Sequence, residues 1–178
     1  MILGMSTANF TLLHVLISLV GIASGLIVMY GWLTANQLSR LTAVFLVTTA
    51  LTSLTGFAFP NKHITPGIVI GVLSLIVLAI ASAARYGLRM QGLWRPVYVV
   101  SAALALYFNF FVLVVQSFEK VPALHALAPT QKEAPFAATQ LTVLVLFVVA
   151  TVFAVRRFHP SASLGAGGSA DASPRRAA

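Results

Sequence analysis

The chain has no cysteine, and only three of its 178 residues are acidic: Glu119, Glu133 and Asp171. The first absence excludes disulfides, thiolate metal sites, a thiol nucleophile and covalent c-type haem. The second leaves too few carboxylates for a metal or acid–base cluster except by distant convergence. No HExxH, GxSxG, Walker or Rossmann pattern is present. Charge is scarce as well: only 8% of residues are charged, while 59% are apolar. A water-soluble fold needs a polar surface that this composition cannot supply. The first nine residues carry no charge, so the basic segment of a secretory signal is missing and the first apolar run is expected to be retained.

What the chain does have is apolar runs of membrane-spanning length. Five are expected as transmembrane helices: residues 10–32, 41–59, 66–84, 97–116 and 136–155. At about 1.5 Å per residue each crosses, or nearly crosses, about 30 Å of hydrocarbon. The fold class is therefore an all-α membrane protein, with one transmembrane bundle over residues 1–158. Residues 159–178 are small and polar and read as a disordered cytoplasmic tail. Tyr30 and Trp32, and later Tyr86, Trp94 and Tyr98, are expected at the membrane interfaces.

The formal charge of +8 is spread along the chain and is not interleaved with stacking aromatics, which argues against nucleic acid as a partner. It reads as topology. With five spans, all eight arginines fall on one side, and Lys62, Lys120 and Lys132 on the other. The positive-inside rule then places the N-terminus outside and the C-terminus in the cytoplasm. No Asp, Glu, Lys or Arg falls within the five runs, and an odd number of spans gives no even repeat, which weighs against a transporter.

Within the runs the polar residues gather in the outer half. His14, Ser18, Gly21 and Gly25 share one helical stripe. Thr48, Thr52 and Thr55 share another, and Ala102, Ala105, Asn109 and Gln116 a third. Gly21–Gly25 and Gly67–Gly71 are GxxxG pairs, which allow close helix approach in lipid. An ionisable group in a span is a functional candidate by default, which singles out His14. We expect His14, Thr52, Asn109 and Gln116 to converge as a ligand site, with Gln140 at its edge. The proline-rich loop of residues 117–136 would form a lid above them.

The segments LLH…SLVG…SGL, TTALTSLTGFAFP and YFNFFVLVVQSFEKVPALHALAPTQKEAPF resemble a family of small uncharacterised bacterial inner-membrane proteins. The histidine of span one and TALTSLTG of span two bear a more distant similarity to DUF2306-type membrane proteins. The resemblance implies a multi-pass protein of the bacterial inner membrane and no particular activity. Three readings stand. The first is a structural or accessory protein with a membrane partner or a second copy of itself. The second is a redox protein binding haem or quinone through His14, with His63 or His125 as a second haem ligand. The third is a small-solute transporter or channel.

Overall fold

A computed structural model describes residues 2, 4–60 and 65–159, so all but the first residue of the tail expected to be disordered, and residues 61–64, lie outside the described residues. Among the described residues the structure is helical, without strands. Its elements are α1 (Thr7–Leu33), α2 (Ser39–Phe57), α3 (Pro66–Ser82), α4 (Trp94–Lys120), α5 (Pro122–Leu127) and α6 (Ala134–Arg157). A π-helical turn, Ala83–Gly87, continues α3. All but α5 are long and apolar enough to cross a membrane, α3 counted with its π turn.

Local signals account for the boundaries. The Ser6 side chain accepts from the Asn9 amide at the start of α1, and Thr65 caps α3 in the same way with Pro66 at the first turn. Pro122 opens α5, and Pro135 lies in the first turn of α6. The expected loop of residues 117–136 is shorter than the sequence suggests. Its first four residues finish α4, and Pro122–Leu127 coil into α5.

Helix α4 is the hub, packing against α1, α2, α3, α5 and α6, while α1 lies closely along α2. Glycines set that approach. A methyl group on Gly25 would lie 2.5 Å from Leu106 and 2.9 Å from the Phe45 ring, and one on Gly71 would lie 2.8 Å from Phe57. Gly67 differs: its nearest neighbour is Thr65 of its own segment, so only half of the second GxxxG pair serves a helix contact.

The main core lies toward the end of the bundle that holds most of the arginines. Trp32, Phe45, Tyr98, Leu106 and Phe158 are buried there. Trp32 meets Tyr98 edge to face at 5.6 Å, and Phe158 closes the cluster. Trp32 and Tyr98 therefore turn inward and are not interfacial anchors. Tyr30, Tyr86 and Trp94 remain exposed.

Arg85 also departs from expectation. The sequence counts it only among the arginines of one side, yet it is only 6% exposed. The wide π turn brings adjacent Ala84 and Arg85 both to the core side. The guanidinium lies 5.1 Å from the Tyr98 ring centre and 5.6 Å from that of Tyr86, and these aromatic faces supply the attraction that a carboxylate would otherwise give. At the opposite end a small cluster of Val114, Phe118 and Ala128 packs with Leu124, Phe136 and Val143.

Candidate functional site

The polar residues of the spans are not joined in one hydrogen-bonded network. They form separate interhelical links. On the α1–α2 face, His14 Nδ1 lies 2.7 Å from Thr55 Oγ1. The His14 ring stands edge-on to Phe59 at 5.3 Å, which in turn meets Phe10 at 5.2 Å. Deeper in the bundle, Asn109 Nδ2 of α4 donates to Thr49 Oγ1 of α2 at 3.1 Å. That pair sits over Gly21, whose missing side chain leaves it room. On the α4–α6 face, Gln140 Nε2 donates to the Phe111 carbonyl at 3.2 Å, while its Oε1 is buried without a partner.

The hydrogen bonds differ from the expected convergence in three respects. Gly21, which marks the level of Asn109, is seven residues from His14, about two helical turns and about 10 Å along α1. Thr52 joins neither pair: its hydroxyl donates to the Thr48 carbonyl of its own helix at 2.9 Å. Gln116 is exposed and its side chain makes no hydrogen bond among the described residues. The physical reason is register. The buried stripe of α2 runs through Thr42, Phe45, Leu46, Thr49 and Ser53, one position away from the Thr48–Thr52–Thr55 line. The apolar Phe45 and Leu46 within a three-and-four spacing carried that signal in the sequence.

The lid is corrected as well. Helix α5 packs on α4, with His125 Nδ1 3.3 Å from the Phe118 carbonyl and Gln131 Nε2 donating to the Val115 carbonyl at 3.0 Å. Ala128 is buried against α4 and α6 residues. The segment therefore seals the α4–α6 corner and does not cover the α1–α2 face where His14 lies.

Hydrogen-bond direction at His14 depends on where the Thr55 hydroxyl proton goes. The Thr55 hydroxyl has a single proton, and the Leu51 carbonyl lies 2.7 Å away to accept it. With the proton placed there, the oxygen accepts from His14 Nδ1–H and the lone pair is left on Nε2; a Thr55 proton turned to Nδ1 would give the other tautomer. Among the described residues no group of three His, Cys, Asp or Glu side chains is placed to hold a metal ion.

A fourth feature is a groove of about 450 Å³ between α4 and α6, lined almost wholly by apolar side chains and bounded at one end by Arg156. No protein-family model, curated protein or solved structure matches this chain.

Proposed function

We propose that this chain is a structural or accessory multi-pass protein of the bacterial inner membrane, with the N-terminus of α1 outside and the arginine-rich end in the cytoplasm. The observation that carries this reading is how the polar groups of the spans are used. His14–Thr55 links α1 to α2, Thr49–Asn109 links α2 to α4, and Gln140–Phe111 links α6 to α4. A transport path or catalytic centre needs polar groups free to meet a solute. Here they lace the helices together, as in membrane packing. A partner surface is available at the outer end: α5 buries none of its residues, and Val121 and Leu127 expose 44% and 57% of their area.

The test is purification in mild detergent, with a visible spectrum, mass spectrometry of extracted small molecules, and a photo-crosslinking residue at Leu127. The expected result is a colourless protein without a stoichiometric small molecule and with a discrete crosslinked protein. A haem band or stoichiometric quinone, lost on His14→Ala, would overturn it.

One observation favours the second reading, cofactor binding at His14. With its Nδ1–H given to Thr55, the imidazole keeps an Nε2 lone pair that makes no hydrogen bond among the described residues. An acceptor for the other ring N–H, as Thr55 is here, orients ligating histidines. Such a nitrogen accepts a proton donor, as a quinol hydroxyl would be, or ligates haem iron. It does not donate to the carbonyl of an oxidised quinone.

A further inference from the structure

We infer that the groove between α4 and α6 holds one acyl chain of an anionic phospholipid, with the phosphate at Arg156. This goes beyond the accessory reading and does not depend on it. The groove is floored by Ala103, Tyr107 and Phe147, has exposed Val148 on its rim, and extends from Leu144 to Arg156. Its shape has a local cause. Phe147 packs against Tyr107 at 5.7 Å and Phe110 at 5.2 Å, a thick contact, whereas one turn along α4 the small Ala103 leaves a trough.

Length and charge choose the occupant. From Leu144 to Arg156 a helix rises about 18 Å, close to the half-thickness of about 15 Å of a bilayer's hydrocarbon. An acyl chain laid in the groove thus brings its headgroup to Arg156, at the level where headgroups belong. The groove ends on a cation that has no counter-charge among the described residues. Arg156 is exposed, and among the described residues it makes no ion pair; the single salt bridge there is Lys120–Glu119. The carboxylates of Glu119 and Glu133 lie at the other end of α4 and α6. Neighbouring Arg95 is already committed, donating from Nη1 to the carbonyls of Val155 and Phe158. Basic sites between helices at a membrane surface recognise anionic lipid headgroups by this chemistry.

The test is native mass spectrometry of the purified full chain with phosphatidylglycerol or phosphatidylcholine of identical acyl chains. The expected result is a single bound phosphatidylglycerol, held about fivefold more tightly than phosphatidylcholine, the worth of one arginine near a charged headgroup. Arg156→Gln should abolish that preference. Arg157→Gln, which changes the net charge equally but does not line the groove, should keep it. Val148→Trp and Leu144→Trp fill the groove from exposed positions and should weaken binding of both lipids; two variants guard against one that misfolds, with circular dichroism as the check. Equal effects of the two arginine substitutions would mean general surface charge and would refute the site. So would unchanged lipid binding in a folded tryptophan variant, or a groove buried in a dimer that the tryptophans dissociate.

Discussion

Asn109 and Thr49 meet at 3.1 Å directly over Gly21, so three helices share one polar contact in the middle of the bundle. A methyl group at residue 21 would lie 3.2 Å from Thr48 Oγ1 and 3.3 Å from Thr49 Oγ1. Gly21→Leu should therefore destabilise by overpacking, by about 1–3 kcal/mol. A double-mutant cycle of Thr49→Val and Asn109→Leu should give a coupling of about 0.6 kcal/mol, the mean for such bonds in membranes. Thermal unfolding in detergent reads both. Additive effects of the pair would show that the contact does not hold α2 to α4.

The His14–Thr55 bond carries a tautomer. Nitrogen-15 chemical shifts of labelled protein should identify neutral His14 with its proton on Nδ1. Thr55→Val should remove that preference and cost about 0.6 kcal/mol. A proton on Nε2 in the parent protein would eliminate haem ligation and quinol binding at His14, because no lone pair would then remain there, and would leave only donation to the carbonyl of an oxidised quinone.

Glu133, outside the spans, should titrate below the ordinary glutamate range. The Thr130 hydroxyl donates to its carboxylate at 2.8 Å, and the Thr130 and Lys132 amides donate as well. These bonds favour the ionised form. With the folded value depressed, their contribution is present above the unfolded value and is lost as pH falls through the folded one. Carbon-13 NMR of the carboxyl should show the low midpoint, and Thr130→Ala should raise it. A midpoint unmoved by that substitution would assign the shift elsewhere.

Arg95 acts as a cap from a distant helix. Its donation to the Val155 and Phe158 carbonyls satisfies acceptors that the last turn of α6 leaves open. Arg95→Met should cost about 1 kcal/mol and speed amide hydrogen exchange in the last turn of α6. Unchanged exchange there would mean that the bond is not formed in solution.

The proposed orientation is testable because the chain is cysteine-free. Ala126→Cys should react with a membrane-impermeant thiol reagent added to intact cells, and Gln91→Cys should not. The opposite pattern would invert the topology.

Five long apolar helices were legible in the sequence because membrane-spanning length is a local property. Each run had only to be apolar for long enough, and the cap and proline signals at its ends are local too. Gly21, Gly25 and Gly71 were likewise readable as close contacts, because only small residues permit them. The partners of the polar residues were not readable. Helical spacing places His14 and Asn109 on stripes but says nothing of how far one helix slides or rotates against the next. Thr49, one position from the expected stripe of α2, became Asn109's partner when Phe45 and Leu46 turned that face into the core. Arg85 entered the core for the same kind of reason: a π turn shifted its register by a fraction of a turn, and the Tyr98 ring, contributed by the next helix, was there to receive its charge. Sequence fixes what each helix can bury; only packing between helices decides which atoms meet, because a displacement of one residue moves a side chain about 100° around its axis.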